Sequence, residues 1–355
     1  MQVHPGGVRQ QGDLHHDEPG LRHDPDAPQE YPQEARAGGV RRHQPVRLPD
    51  EPETGVGGNT GYRPSSNDDA PEEGTVVVDK VYDVVVVGSG FAGLAAAIEA
   101  RNAGCSVLII EKMRVPGGNS ALSGGLFAVA DSPLQAAAGI VDSPARLVSD
   151  MLRAGKGLNH PDLVRTVAGH SLEAYFWARD YLGVTFDDAL IHGGGHSVPR
   201  IYNTPACSGA AIVQALLVKC RELGLTIRMQ CALKDLIQDE SGRVTGVAVA
   251  DGHIFPRRDS GTTRRITARR GVVLASGGFC QDVAFRMVQN PRLDGSLETT
   301  NHPGATAEGL VSALKVGATP VHLSWIQLGP WTSRDEKGWG WGPCSRCWWA
   351  SPTGS

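Results

Sequence analysis

The sequence predicts a doubly wound α/β fold, because a buried strand, a glycine turn, a helix and a second strand follow one another within residues 82–111. Residues 84–87 are consecutive valines, a composition typical of a parallel strand buried on both faces. This run ends in GSGFAG at 88–93, and small residues follow at helical density. A second apolar run at 106–110 completes a β-α-β unit, the building block of this fold class.

The glycine turn has the spacing G-x-G-x-x-G, which sets a nucleotide phosphate against a helix N-terminus. Gly88 permits the tight turn, Gly90 lets a phosphate approach the backbone, and Gly93 lets the helix pack close to the strand. Glu111 follows the second strand, where an acidic residue binds ribose hydroxyls. The pattern predicts a dinucleotide site; the alternative is a glycine turn with a structural role alone.

Composition narrows the classes of function. The net charge of −4 favours neither nucleic acid nor an anionic membrane as a partner. No apolar run approaches the roughly 20 residues of a membrane span, and the N-terminus lacks the apolar segment of a secretory signal. Seven scattered cysteines without a haem-attachment motif indicate reduced thiols. We therefore expect a cytoplasmic protein that has no membrane span and binds no nucleic acid.

Residues 1–77 differ from the rest of the chain, because polar residues, proline and glycine dominate and aliphatic residues are rare. Such a segment cannot bury enough apolar area to offset its chain entropy, so a disordered tail is predicted. Its histidines have no repeating spacing, which favours a solvated tail over metal capture. The composition also suggests the hypothesis that the segment is not a natural part of the protein.

A loop rich in glycine and serine occupies residues 113–130. Two Gly-Gly pairs, 117–118 and 124–125, surround Asn119 and Ser120. Such backbone can wrap closely round a ligand, so the loop is predicted to form a second wall of the cofactor site. An ordinary loop without a ligand is the alternative.

Residues 143–182 predict helices, the first opened by Ser143 with Pro144 and the second by Pro161. His170 lies in this second helix and is expected to be a packed or surface histidine.

Residues 193–209 form a loop, which is followed by an apolar helix at 210–223. Its notable polar residues are His196, Arg200 and Tyr202. A histidine in a glycine loop could donate a proton, but hydrogen bonding to the backbone is the default interpretation.

Strands are predicted at 225–229, 233–238 and 244–249, and the fold is expected to include a β-meander. The arginine-rich tract between 257 and 270 is interpreted as the solvated end of a hairpin, because no aromatic residues interleave with it.

Residues 271–279 form a further buried strand that enters a glycine turn. Residues 300–309 lead into a helix that is predicted to continue to residue 316. Within this segment, Glu308 is a candidate ligand for a ribityl or ribose hydroxyl.

Four motifs occur in order between residues 80 and 335: VVVGSGFAG, IIEK with GGNSALSGG, ASGGF, and TNHPGATAEG. With these motifs the chain resembles the flavoprotein of fumarate reductases and succinate dehydrogenases, in its soluble flavocytochrome c type.

The resemblance implies a Rossmann-like domain that binds FAD. The residues that would surround the ADP and flavin are Ala92, Glu111, Lys112, Asn119, Ser120, Gly124, Gly125, Gly277, Gly278 and Glu308. Membrane-bound relatives attach flavin covalently through a histidine just before the second glycine pair. The matching stretch around Gly118 and Asn119 has no histidine, so the resemblance implies noncovalent FAD.

The resemblance further implies hydride transfer from flavin N5 to the β-carbon of an activated alkene dicarboxylate, with an arginine as proton donor. The groups that hold the carboxylates belong mainly to a capping domain and a final FAD-domain segment, so no residue here is assigned a catalytic role. Gly329 stands where the family has its first substrate-binding histidine, a departure that disfavours fumarate itself.

Three segments follow from this comparison: a tail at 1–77, an FAD-binding domain at 78–324 and the start of a capping domain at 325–355. We expect the chain to be truncated, by a frameshift near Pro343, and to have weak activity or none. The cysteine pair at 344 and 347 has no second pair, which makes zinc binding improbable.

The predicted function is that of an FAD-dependent oxidoreductase acting on CH–CH bonds of an enoate or dicarboxylate-like small molecule, with an electron donor that the sequence does not identify. One alternative is a related flavin enzyme acting on another enoate, urocanate or a ketosteroid. Another is a nonenzymatic FAD-binding fragment, and a plain NAD-binding protein is the weakest option.

Overall fold

The computed structural model describes residues 77–328 of the chain, with side chains from residue 81 onwards. The predicted tail, the body of the predicted capping domain, Gly329 and the cysteine pair at 344 and 347 lie outside the described residues.

The described chain alternates strands and helices. The strands are β1 (Val77–Val87), β2 (Val107–Ile110), β3 (Phe127–Ala128), β4 (Ile201–Tyr202), β5 (Thr226–Arg228), β6 (Cys231–Gln238), β7 (Val244–Asp251) and β8 (Thr262–Leu274). The helices are α1 (Phe91–Asn102), α2 (Gly118–Leu122), α3 (Pro133–Ala137), α4 (Pro144–Ala154), α5 (Pro161–Gly169), α6 (Ser171–Phe176), α7 (Gly209–Glu222), α8 (Val283–Gln289) and α9 (Glu308–Lys315), and a π turn (Trp177–Tyr181) continues α6.

Six of these strands form one sheet in the order β5-β2-β1-β8-β7-β6. The first four are parallel neighbours, whereas β8, β7 and β6 are antiparallel neighbours and form a β-meander. The strand predicted at 225–229 is β5, which lies in the parallel part of the sheet beside β2. The prediction of a doubly wound α/β fold is confirmed. Val87 pairs in register with Ile110 on one side and with Leu274 on the other, so three parallel strands end level with one another.

The core lies on both faces of this sheet, as the valine run predicts. Successive side chains of a strand point to opposite faces. Val86 and Ile109 are fully buried on the face covered by α1 and α7. Val85 and Leu108 are fully buried on the other face, against apolar side chains of β6, β7 and β8.

The glycines of the turn are required by close contacts. A Cβ at Gly93 would lie 2.0 Å from the carbonyl oxygen of Gly88, so only a glycine lets α1 approach the end of β1 this closely. Gly88 has a φ of +104°, and its Cβ would lie 2.5 Å from the carbonyl oxygen of Ala275. The predicted roles of these two glycines in the turn therefore agree with the packing.

The predicted starts of two helices agree with the structure, but one helix predicted as continuous is interrupted. Ser143 caps α4 by accepting a hydrogen bond from the amide of Arg146, and Pro161 opens α5. The helix predicted to continue from Pro161 ends at Gly169 and restarts after His170. His170 is exposed, and its Nδ1 lies 2.8 Å from the carbonyl oxygen of Thr166.

The arginine-rich tract corrects another expectation. Only Arg257 and Arg258 lie in the loop between β7 and β8, whereas four arginines lie within β8 itself. The prediction of a hairpin end was wrong for these four arginines, because β8 begins at Thr262 and runs for 13 residues. They share one strand with the first residues of the segment predicted as a buried strand at 271–279. Helix α8 was not predicted.

Substitution of Gly93 with alanine tests the contact between α1 and β1. Because the added Cβ would meet backbone, which cannot move aside as a side chain can, we expect a loss of about 3 kcal/mol in the free energy of unfolding. Gly169→Ala is the control, since its Cβ would meet no atom within 4 Å. Urea denaturation of both variants measures the difference, and equal stabilities would contradict the proposed constraint.

Candidate functional site

A cavity opens at the carboxyl ends of β1, β2 and β8, the edge where open α/β sheets bind their ligands. The cavity has a volume of about 140 Å³. The lining residues are 87–90, 110–113, 117–120, 231, 233, 275–277, 302, 304–306, 308 and 309. Segments far apart in the chain therefore meet at one edge of the sheet.

Most of the predicted site residues line this cavity. They are Gly88, Gly90, Glu111, Lys112, Asn119, Ser120, Gly277 and Glu308. The others, which do not line it, are Ala92, Gly93, Gly124, Gly125 and Gly278. Gly93 lies behind the turn against Gly88, and Gly125 lies against the backbone of Ser208, where its Cβ would come within 2.8 Å. The ligand contacts of all thirteen residues stay predictions.

The carboxylate of Glu111 is fastened to the glycine turn. Its Oε2 accepts hydrogen bonds from the amide (3.1 Å) and the hydroxyl (2.6 Å) of Ser89. Its Oε1 accepts a hydrogen bond from the amide of Met113 (2.9 Å). Ser89 is buried, and its hydroxyl oxygen also accepts from the amide of Gly117 (3.2 Å). Ser89 therefore orients the acidic residue, a role that sequence reasoning missed.

Gly90 is the N-cap residue of α1 and has no side chain with which to cap the helix. Ser120 makes the capping contact instead. Its Oγ accepts a hydrogen bond from the amide of Phe91 at 3.0 Å. A Cβ at Gly90 would lie 2.9 Å from this Oγ, so the turn is fitted closely to Ser120. The amide of Phe91, at the start of α1, is thus already bonded within the protein.

The far wall of the cavity carries an ion pair. Lys112 Nζ lies 3.1 Å from Glu308 Oε2 and also donates to the hydroxyl of Thr306. The Thr306 hydroxyl donates to the same carboxylate oxygen of Glu308 at 2.5 Å. Burial alone would raise the pKa of Glu308, but the Thr306 hydroxyl and the charge of Lys112 outweigh it and lower the pKa. Glu308 is therefore anionic and keeps lone pairs for a further donor.

His302 also lines the cavity and was not predicted. Its Nδ1 accepts a hydrogen bond from the amide of Gly304 at 3.1 Å, so a neutral ring carries its proton on Nε2. Burial lowers the pKa of His302, and the nearby charge of Lys112 lowers it further, against the opposing effect of Glu111. A histidine within a glycine- and proline-containing turn was the available signal in the sequence.

The polar residues singled out in the loop at 193–209 do not line this cavity. Arg200 is fully buried and donates to Asp142 at 2.8 and 2.9 Å and to Asp150 at 2.6 Å. His196 Nδ1 lies 3.1 Å from a guanidinium nitrogen of Arg200. Tyr202 is fully buried in an aromatic cluster. These side chains have a structural role, and the interpretation of His196 as a proton donor receives no support from its position.

The two aspartates of this cluster are held ionised. Burial opposes ionisation of Asp142, but hydrogen bonds from Arg200 and Gln135 outweigh it and lower the pKa. Burial likewise opposes ionisation of Asp150, but hydrogen bonds from Ser197 and Arg200 lower its pKa far below the usual range. The buried arginine thus stabilises two carboxylates at once.

The cavity has the features of a nucleotide cradle. Glycine backbone lies against its floor, carboxylates at Glu111 and Glu308 can accept hydroxyl donors, and Lys112 supplies positive charge.

Within residues 77–328, no group of three or more histidine, cysteine, aspartate or glutamate side chains could hold a metal ion. None of the helices described is long and apolar enough to cross a membrane.

Comparison with known proteins identifies relatives of this chain. Residues 83–338 match the family model of the FAD binding domain. The chain is 47% identical over 263 residues to the acrylate reductase flavoprotein subunit of Shewanella woodyi, covering 74% of this chain and 52% of that protein. It is 35% identical over 262 residues to the urocanate reductase of Eggerthella lenta, covering 74% of this chain and 41% of that protein.

Among solved structures, the open conformation of a flavocytochrome c3 fumarate reductase matches with a TM-score of 0.65 and 27% identity. The match covers 70% of this chain and 43% of the fumarate reductase chain. The chain spans about half the length of the first of these relatives and less of the others.

Replacement of Arg200 with methionine tests the buried ion cluster. The variant would leave Asp142 buried without its cation and Asp150 with Arg153 alone, and we expect a loss of about 3–5 kcal/mol in the free energy of unfolding at pH 7. Both carboxyls have lowered pKa values in the folded chain, so this stabilisation is present above about pH 4 and is lost as pH falls through the folded pKa values.

Urea denaturation at pH 7 and near pH 3 measures both effects, and the difference between variant and unaltered protein should shrink at the lower pH. Arg165→Met, which removes an exposed ion pair with Asp162, is the control and should change little. A loss that is equal in the two variants, or independent of pH, would contradict the cluster's role.

Proposed function

The chain belongs to the FAD binding domain family, and on that premise we propose that it is the FAD-binding part of a reductase acting on carbon–carbon double bonds. The observation that carries the proposal is the cavity at the carboxyl ends of three parallel strands, lined by both the glycine turn and Glu111. The relatives named as acrylate and urocanate reductases support the reaction class.

For the domain organisation, we propose that residues 78–324 form the FAD-binding domain and that residues 325–355 begin a capping domain. Residues 1–77 are proposed to be a separate tail. The family match over residues 83–338 supports the position of the FAD-binding domain without testing its limits.

Bound FAD would supply hydride transfer, and the residues of this chain would bind and orient it. The glycine turn and the start of α1 suit the pyrophosphate, because backbone amides and the helix dipole favour anions there. Glu111, held by Ser89, is oriented to accept hydrogen bonds from ribose hydroxyls. Glu308 can accept from a ribose or ribityl hydroxyl while paired with Lys112.

We propose that the FAD is noncovalent, because Gly118 and Asn119 stand where the membrane-bound flavoproteins resembled by this chain carry the attaching histidine. A cytoplasmic location is proposed from the scattered cysteines, a usage typical of reducing compartments.

A small enoate with one carboxylate is the proposed substrate class, with acrylate as the first compound to examine. The relative with 47% identity is named an acrylate reductase, and Gly329 supplies no imidazole for a second carboxylate. Urocanate is the second candidate, supported by the relative with 35% identity.

Glu111→Gln tests the proposed cofactor site. The purified chain should take up FAD, and the variant should bind it about 10- to 100-fold more weakly, since a charged acceptor of hydroxyl donors is lost. FAD fluorescence titration measures both, with the exposed Glu240→Gln as the control. Absence of FAD uptake at millimolar concentration would refute the site.

Noncovalent binding predicts that acid denaturation releases the flavin into solution. Flavin that stays with the precipitated protein would refute noncovalent binding.

The substrate proposal predicts faster oxidation of a reduced viologen dye with acrylate than with fumarate. We expect at least a tenfold difference in kcat/KM in the FAD-loaded protein, because a missing carboxylate partner weakens binding of the doubly charged substrate most. Faster turnover of fumarate would overturn the preference for one carboxylate. FAD binding without turnover of acrylate, urocanate or fumarate would favour the nonenzymatic alternative.

A further inference from the structure

Both ends of the Asn119 side-chain amide are used in a bridge across the cavity. Its Nδ2 donates to the side-chain oxygen of Asn301 at 2.8 Å. Its Oδ1 accepts from the backbone amide of His302 at 2.6 Å. Asn119 lies in α2 and its two partners lie in the turn before α9, so the bridge joins segments about 180 residues apart in the chain.

Asn301 is itself held in place from two sides. Its side-chain Nδ2 donates to the hydroxyl of Thr299 at 2.8 Å, which leaves its Oδ1 directed at Asn119. Its carbonyl oxygen accepts from the side chain of Gln281 at 2.7 Å. The backbone amide of His302 can only donate, so Asn119 Oδ1 faces it and Asn119 Nδ2 faces Asn301. Asn301 Oδ1 accepts from this Nδ2, and the contacts of Asn301 with Thr299 and Gln281 hold that acceptor in place.

The two joined segments are walls of the same cavity. Residues 117–120 line one side, and His302 with residues 304–306 line another. Asn301 does not line the cavity, so its only route to a ligand there is through its neighbours. The ion pair between Lys112 and Glu308 forms a second link between the end of β2 and the start of α9.

We propose that Asn301 is a positioning residue for FAD: it fixes the amide of Asn119 and so joins the two walls into a clasp that slows release of the cofactor. The inference rests on the proposed function, because it requires that FAD occupy this cavity. In this proposal the bridge is more stable with FAD between the walls than without it, so its loss acts on the dissociation rate more than on the rate of entry.

A competing arrangement has the same contacts but predicts the opposite effect on FAD release. Asn119 could turn away from Asn301 to bind FAD, in which case the bridge would belong to the empty protein and compete with the cofactor. Removing Asn301 would then leave FAD release unchanged or make it slower. The direction of the change distinguishes the two arrangements.

The test compares Asn301→Ala, Asn119→Ala and the double variant. Each protein is loaded with FAD and diluted, and recovery of FAD fluorescence gives the dissociation rate. Loss of one net hydrogen bond should raise the rate for Asn301→Ala about 3- to 10-fold, with the association rate changed by less than about twofold. Because Asn301 acts through Asn119, the double variant should release FAD no faster than Asn119→Ala alone.

Asn290→Ala is the matched control, since Asn290 makes a local contact with the amide of Arg292 and does not line the cavity. It should leave the release rate unchanged. Thermal unfolding without FAD checks that Asn301→Ala remains folded, and Thr299→Ala, which loosens Asn301 without removing it, should give a smaller increase in the same direction.

Three results would overturn the proposal: an unchanged or slower release in Asn301→Ala, additive effects in the double variant, or an equal effect in the control. Failure of the unaltered chain to take up FAD would refute the proposed function as well. FAD uptake without a change in release would leave the proposed function intact and refute the clasp alone.

Discussion

The close approach of α1 to the end of β1 is the contact on which the rest of the site depends. The backbone of Gly93 lies against the carbonyl of Gly88 at a distance that no other residue type allows. This contact sets the start of α1 at the edge where β1, β2 and β8 end level with one another. Ser89, between the two glycines, is then placed to hold the carboxylate of Glu111 from the next strand. A nucleotide cradle follows from one packing constraint and the parallel register of the sheet.

Charge in the cavity is arranged so that each group has a partner before any ligand arrives. Glu111 accepts three hydrogen bonds from Ser89 and Met113, and Glu308 is paired with Lys112 and Thr306. Each carboxylate still has room to accept a further donor, since it offers about four lone-pair sites. An anionic group is favoured instead by backbone amides at the helix start. The cavity thus separates hydroxyl-binding groups from the region that suits phosphate.

Local features of this site were readable from the sequence, whereas contacts between distant segments were not. The strand, turn, helix and acid within residues 82–111 obey fixed spacings, and four ordered motifs identified the family correctly. Ser89 and Asn301 were missed because their importance comes from partners 22 and 182 residues away. Arg200 could be noticed in its glycine loop, but only burial against two aspartates reveals that it stabilises the fold. Periodicity also failed at His170, where the helix is interrupted directly after Gly169, a residue that can mark a helix end.

Segments far along the chain from the β-α-β unit complete the cavity. The β-α-β unit alone supplies the glycine turn and Glu111, and any dinucleotide could be held by that pair. Strand β8, the last strand of the meander, pairs with β1 and brings residues 275–277 to the same edge. The turn before α9 lies across from α2. Asn119 and Lys112, both from the first half of the site, make their contacts with this second half. Under the proposed function, recognition of the whole cofactor would depend on these bridges between the two halves of the site, because neither half alone surrounds the cavity.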